Sequence, residues 1–251
     1  PRATRAQSPA GAAAGDEVLI TMLPDGKAVR AALLDGGAAA ALPKGALVVD
    51  MSSSAPLGTR ALGDELARIG VRLVDAPVSG GVKRAREAKL AIMAGGDPDA
   101  VRWCRPLLAS MGSSVHETGP LGSGHAMKAL NNFVSAAGLV ATCEALVVGR
   151  RFGLDPALMV DVLNASSGRN NTTEVKAKQY MLSGTFGSGF SLALMAKDLR
   201  TAAELADELG IPAPLARAMA ERWTAAQDLL EPGADHTAMF RAVEATASKG
   251  R

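Results

Sequence analysis

Five short β-prone runs punctuate the first 119 residues, and none follows them. EVLITML (17–23), ALVVDMS (46–52), VRLVDAPV (71–78), KLAIMAG (89–95) and SSVHETG (113–119) alternate with stretches of helical periodicity. The Val/Ile/Leu-rich runs lack a clean two-residue alternation, as strands buried on both faces do. Strand–helix–strand order then predicts a largely parallel sheet covered by helices. Helical stretches are expected up to residue 42, over 56–69 and over 98–111. Beyond Gly119 helical periodicity takes over. One long helix is predicted over 122–152, closed by Gly153 as a C-cap residue. Asp155 and Pro156 then open the next helix as N-cap and first-turn proline. Further helices are expected over 172–182, 190–209, 213–230 and 237–247. The organisation is an α/β domain over residues 1–120 and an all-α domain over 121–251, joined by the long helix.

Composition narrows the function classes. The chain has 251 residues, 48% of them hydrophobic, enough to build a core in each domain. Its net charge of +2, with both signs interspersed, gives no electrostatic reason to expect nucleic acid or an anionic membrane. No uninterrupted apolar run reaches the roughly 18 residues of a membrane span. The two cysteines, Cys104 and Cys143, fall in helical patterns, which suits a reducing, cytoplasmic setting better than a disulfide framework. His116, His125 and His236 are scattered without metal-ligand spacing, so no metal is expected. The opening PRATRAQSPAGAAAG carries no signal-peptide pattern and reads like the middle of a domain.

GPLGSGHAMKALNN (119–132) places one lysine and two asparagines on the opening turns of an otherwise apolar helix. Lys128 and Asn132 are four apart and share a face, whereas Asn131 points about a hundred degrees away from Asn132. Taken alone, Lys128 is better explained as a snorkelling surface lysine than as a catalyst. The catalytic reading needs a cleft, and the helix begins where the sheet domain is expected to end, a favoured place for ligands. DAPVSGG (75–81) closes a predicted strand with two glycines and Ser79, a turn able to hold a carboxylate but equally an ordinary glycine turn. FSLALMAKDL (190–199) sets Lys197 and Asp198 within an apolar helical run, where a solvated face accounts for most such charges.

DAPVSGGV, AIMAGGD, GPLGSGHAMKALNN, LNASSGR and FSLALMAKDL occur in the order found in the β-hydroxyacid dehydrogenases, and the chain resembles that family over essentially its whole length. The resemblance implies a Rossmann-type dinucleotide-binding domain followed by a helical domain. It also implies an NAD or NADP cofactor, with NAD favoured, and interconversion of a short 3-hydroxy acid with its semialdehyde. By the same resemblance, Lys128 matches the catalytic lysine and Asn132 the asparagine that positions the substrate. Ser79, Gly80 and Gly81 match the turn that takes the substrate carboxylate. Met22, Leu23, Pro24 and Ser53 match cofactor contacts near the ribose and nicotinamide. Phe190, Lys197 and Asp198 match residues of the helical domain that close over cofactor and substrate. A homodimer or homotetramer is implied too, and the apolar GLVATCEALVVG (138–149) offers surface for it.

The chemistry suits these residue types. Oxidising an alcohol requires a proton to leave oxygen as hydride leaves carbon, and a lysine accepts that proton when burial or a nearby positive charge lowers its pKa. An asparagine has no proton to exchange at neutral pH but fixes geometry by hydrogen bonds.

The chain departs from the family pattern at two places. No G-x-G-x-x-G turn precedes EVLITML, and AGAAAG (10–15) is no substitute because no β-run comes before it. The expectation is that a unit of about 40 residues, the size of a βαβ opening, either stands upstream of this sequence or has been lost. If it is lost, a non-catalytic binding protein on the same fold is the competing reading. An imine reductase is a further alternative, which the presence of Lys128 disfavours. The second departure is GGVKRAREAKL (80–90), where Lys83, Arg84, Arg86 and Lys89 replace small residues or crowd around them. A solvated loop is the expected account of this cluster, with attraction of a more anionic substrate as the alternative. SGRNN (167–171) is expected to border the substrate side.

Overall fold

Three of the β-prone runs pair in parallel as β1 (Val18–Thr21), β2 (Leu47–Asp50) and β3 (Arg72–Asp75), with Thr21, Asp50 and Asp75 in register at their carboxyl ends. The computed structural model describes residues 3–249. Between β1 and β2 the chain forms α2 (Gly26–Arg30), a π-helical turn (Ala31–Asp35) and α3 (Ala38–Ala41), after a short leading α1 (Pro9–Ala13). α4 (Pro56–Arg68) returns the chain to β3, with Pro56 in the first turn, where its missing N–H costs nothing.

Beyond β3 the topology departs from a largely parallel sheet. A two-residue β4 (Val78–Ser79) leads through α5 (Gly81–Arg86) into β5 (Leu90–Gly95), which runs antiparallel to both β3 and β4. The reason is length. A parallel return needs a crossover of a dozen or more residues, and the segment after Ser79 is too short to supply one. α6 (Pro98–Ala109) then makes the crossover that sets β6 (Gly112–Gly119) parallel to β5.

β2 is buried on both faces, and its side chains alternate between two cores. Val48 joins Val29, Leu33, Leu62 and Leu66 on one side; Leu47 and Val49 join Val74, Ile92, Val101 and Leu108 on the other. Each fully buried Leu or Ile contributes about 1.5–3 kcal/mol relative to exposure, so the sheet is held from both faces. Asp97 caps α6 by accepting from the Asp99 and Ala100 amides.

The remaining elements are helical. α7 (Ser123–Phe152) is followed by α8 (Pro156–Ala165), capped by Asp155, and by α9 (Asn171–Val175), held by a capping box of Asn170 and Thr173. A π-helical turn (Ala177–Leu182), α10 (Leu192–Glu208), α11 (Pro214–Gln227), a 3-10 turn (His236–Ala238) and α12 (Met239–Lys249) complete the chain. The predicted single helix over 172–182 is thus broken at Lys176, and the one expected over 237–247 begins with a tight turn. Two compact units result, one up to Ala129 and one from Leu130, so their boundary falls inside α7.

By length and composition α7 could cross a membrane, which a search for uninterrupted apolar runs overlooks because polar residues interrupt it. Half of its most apolar stretch is buried inside the protein. Leu139, Val140, Cys143, Leu146 and Val147 build the second unit's core with Met195, Leu199, Trp223 and Met239, as expected of a core helix.

Candidate active site

In the first unit the carboxyl ends of β1 and β2 form a pinned shelf. Asp50, the last residue of β2, accepts from Thr21 Oγ1 at 2.8 Å, the Ser52 amide at 3.0 Å and Ser54 Oγ at 3.2 Å. Ser52 Oγ in turn accepts from the Leu23 amide at 2.9 Å. One buried carboxylate therefore fixes both loops that carry Met22, Leu23, Pro24 and Ser53. Met22 projects from this shelf and is 57% exposed. An exposed thioether side chain beside a rigid backbone, at the carboxyl ends of parallel strands, suits the flat ring and ribose of a dinucleotide. The residues present fit that half of the cofactor.

Ser79 ends β4, and Gly80 and Gly81 turn the chain into α5. Gly80 and Gly81 have φ of 136° and 66°, conformations closed to most side chains, so the turn depends on both glycines. Nothing lies within 4 Å of where a Gly81 Cβ would stand, which leaves its backbone accessible. The basic cluster that follows is not a loop. Lys83, Arg84 and Arg86 are exposed on α5, and Lys89 pairs with Glu87 at 3.4 Å. The segment is long enough for a helical turn and a half, and the basic side chains sit near its C-terminal end, where the helix dipole favours them. Ala88, just before Lys89, takes a left-handed φ of 53°.

Lys128 lies on the second turn of α7 and is 9% exposed, so it does not behave as a snorkelling surface lysine. The start of α7 is fixed from the sheet. Asp75, the last residue of β3 and itself fully buried, accepts from the Gly122 amide through Oδ1 and the His125 amide through Oδ2, each at 2.7 Å. Two of the four unpaired N–H groups at the helix start are thereby satisfied by a carboxylate 47 residues earlier. Burial pushes the Asp75 carboxyl up from its ordinary value, against the opposing pull of His125 and these amides. His125, also buried, shares a 2.8 Å hydrogen bond with Thr59 Oγ1, and its Nε2 lies 3.7 Å from Asp50 Oδ2.

Asp50, Asp75 and His125 are the buried polar residues around the candidate site that sequence reasoning missed. A signal existed: two aspartates end consecutive parallel strands at paired positions. Aspartate is a rare strand residue, so a repeat at that place marks a polar shelf rather than core.

In the second unit, Asn132 Nδ2 donates to Asp198 Oδ2 at 2.6 Å, Asp198 Oδ1 pairs with Lys197 Nζ at 3.1 Å, and Asn131 Nδ2 donates to Asn132 Oδ1 at 3.1 Å. The structure thus brings Asn132, Lys197 and Asp198 into one network, with Asn131 behind it. Asn132 and Asp198 are 6% and 3% exposed, so Asp198 is not part of a solvated helix face. Phe190 stands seven residues before Lys197 on the segment that Asp235 anchors through the Gly189 and Phe190 amides, and its ring meets His236 edge-on. Asn170 and Asn171 of the SGRNN stretch start α9, and Asn170 Nδ2 donates to Thr142 Oγ1 on α7 at 3.2 Å.

Comparison with known proteins follows this division of the chain. Residues 2–119 match the family described as the NAD binding domain of 6-phosphogluconate dehydrogenase. Residues 122–243 match the one described as NAD-binding of NADP-dependent 3-hydroxyisobutyrate dehydrogenase. The chain is 36% identical over 204 residues to 2-(hydroxymethyl)glutarate dehydrogenase of Eubacterium barkeri, covering 81% of this chain and 68% of that protein. It is 37% identical over 212 residues to the human mitochondrial 3-hydroxyisobutyrate dehydrogenase, covering 82% of this chain and 63% of that protein, so it spans about two thirds of these relatives. Among solved structures, the 3-hydroxyisobutyrate dehydrogenase of Mycobacterium tuberculosis with L-serine superposes with a TM-score of 0.84 at 33% identity, over 94% of this chain and 81% of that one. Identity at this level across both units, in a shared fold, places the chain in the β-hydroxyacid dehydrogenase family.

Proposed function

We propose that this chain acts as an NAD(P)-dependent dehydrogenase that interconverts a short 3-hydroxy acid and its semialdehyde, with Lys128 as the general acid/base. The observation that carries the reading is a nearly buried lysine on a helix start that a buried aspartate of the sheet holds in place. A bound nicotinamide supplies the acceptor or donor of hydride. Met22, Leu23, Pro24 and Ser53 hold its ribose and ring on the shelf that Asp50 fixes. Ser79, Gly80 and Gly81 take the substrate carboxylate with a hydroxyl and open backbone N–H groups. Lys128 Nζ takes the hydroxyl proton in oxidation and returns a proton to the carbonyl oxygen in reduction. Asn132 orients the reacting oxygen. One of its amide protons is committed to Asp198, which leaves the second N–H and a lone pair on Oδ1 for substrate. Lys197 and Phe190 are the helical unit's contributions to cofactor and substrate binding, with Asp198 steadying Lys197.

The relatives' names bracket the substrate class, since 2-(hydroxymethyl)glutarate carries two carboxylates and 3-hydroxyisobutyrate one. The protein works as a homodimer or homotetramer. Exposed apolar residues of α7 and α8 support this, among them Val134, Val148, Phe152, Leu158 and Val162. Two free, buried cysteines suit the reducing cytoplasm.

Lys128→Ala tests the mechanism. With NAD+ or NADP+ and a panel of 3-hydroxy acids, kcat should fall by about 10²–10⁴-fold, the usual contribution of a general acid/base. Dinucleotide affinity, read from NADH fluorescence, should change by less than about twofold, because the lysine does not act through cofactor binding. Near-normal turnover would remove Lys128 from the chemistry.

A further inference from the structure

Lys176 occupies the break between α9 and the following π-helical turn, with φ −127° and ψ −43°. Its side chain is half-buried, and its ammonium donates to Ser135 Oγ on α7 at 3.3 Å. Among the described residues no carboxylate stands within ion-pair distance of it. Its neighbour Lys178 behaves differently, being exposed and paired with Asp161 at 2.6 Å. The acid whose charge Lys176 feels, Asp235, is already committed to Ser188, the Gly189 and Phe190 amides and Thr237. A half-buried ammonium with one neutral hydroxyl for a partner is costly unless an anion completes it. Burial accordingly pulls the Lys176 ammonium down to about 8, with Asp235 opposing.

The surroundings are polar along the same stretch of α7. Ser135 lies one turn beyond Asn132, the residue assigned to the substrate. Thr142, two turns beyond Ser135, holds Asn170. We propose that Lys176 and Ser135 form an anion subsite that takes a second carboxylate of the substrate, which makes this chain selective for dicarboxylic hydroxy acids. The assignment of a hydroxy-acid substrate rests on the function proposed above; the anion subsite rests on the Lys176 geometry. An ammonium and a hydroxyl side by side offer two donors to one carboxylate, and the missing counter-charge is what such a ligand brings.

Calorimetric titration of the whole chain with 2-(hydroxymethyl)glutarate, 3-hydroxyisobutyrate and inorganic phosphate tests this apart from turnover. The dicarboxylate should bind roughly tenfold tighter than the monocarboxylate, and Lys176→Met should abolish that difference while leaving monocarboxylate affinity within about twofold. Ser135→Ala should weaken the dicarboxylate by a smaller factor, and Lys176→Arg should restore much of its binding. Equal affinity for the two acids, no binding of either, or equal losses for both in Lys176→Met would overturn the subsite. Tighter binding of phosphate than of the dicarboxylate would overturn its assignment to a carboxylate. Selective dicarboxylate binding through Lys176 without turnover of any hydroxy acid would support the subsite and sink the dehydrogenase reading. In an active enzyme the same selectivity should appear as a rise in KM for the dicarboxylate in Lys176→Met.

Discussion

Asp75 shows how much one side chain can decide. It closes β3, stands five residues before Gly80 of the glycine turn, and ends as the acceptor for two amides at the start of the helix that carries Lys128. Removing it would leave two buried N–H groups without partners, each costing about 1–3 kcal/mol. Asp75→Ala should therefore lower unfolding stability by roughly 3 kcal/mol or more. Asp75→Asn keeps one acceptor oxygen and discards a charge that burial already disfavours, so it should lose markedly less. Urea unfolding of the two variants checks this, and equal losses would show that the carboxylate does not cap α7. Lys128 teaches the complementary lesson. Spacing put it on one face with Asn132, but its near-complete burial depends on how the helix start is seated, which no local pattern encodes.

At the scale of elements, α7 makes two opposite demands on its glycines. A Cβ on Gly124 would stand 2.2 Å from the Met93 carbonyl oxygen and 2.9 Å from both Asp75 O and Asp75 Oδ2, so the first turn of α7 rests directly on β3 and β5. Those are backbone atoms of a sheet and the capping carboxylate itself, and none can move aside. A Cβ on Gly138, farther along the same helix, would meet nothing closer than Asn170 at 3.7 Å. Gly124→Ala should thus destabilise by about 3 kcal/mol or more, as overpacking against rigid backbone does. Gly138→Ala should raise stability by about 0.5–1 kcal/mol through helix propensity. Thermal unfolding of both variants would reveal the contrast, and the same sign for both would refute it. The elements were largely legible in the sequence: apolar runs marked β2 and β5, Asp155–Pro156 marked the start of α8, and Gly153 the end of α7. The antiparallel return of β5 was not legible, because strand direction follows from connection length and pairing rather than from residue type. The π-helical turns and the shelf built by Asp50 were hidden for a related reason, since their partners lie far along the chain or depend on packing.

For the whole molecule, the two units carry acids of opposite character, one fully buried and one partly so. In the first, burial holds the Asp75 carboxyl above its ordinary value. In the second, burial pushes Asp235 upward too, but hydrogen bonds from His236, Thr237 and Ser188 outweigh it and hold that carboxyl far below the usual range. The signs follow from linkage. An acid with a raised folded pKa binds its proton more readily in the native state, so its unit gains relative stability as pH falls through that pKa. An acid with a lowered folded pKa contributes stability that is complete above its unfolded value near 4 and is lost as pH falls below it. Acid should therefore weaken the second unit first, beginning where Asp235 joins residues 188–190 to the turn at 236–238. Hydrogen exchange between pH 5 and pH 3, expressed as protection factors to remove the intrinsic pH dependence, should show those amides opening before the Gly122 and His125 amides at the start of α7. Asp235→Asn should lower protection around residues 188–190 at neutral pH and flatten its decline in acid, because the asparagine has no proton to gain. Earlier opening of the Asp75-capped turn, or an undiminished acid response in Asp235→Asn, would show that these two carboxylates do not set the order in which the units yield.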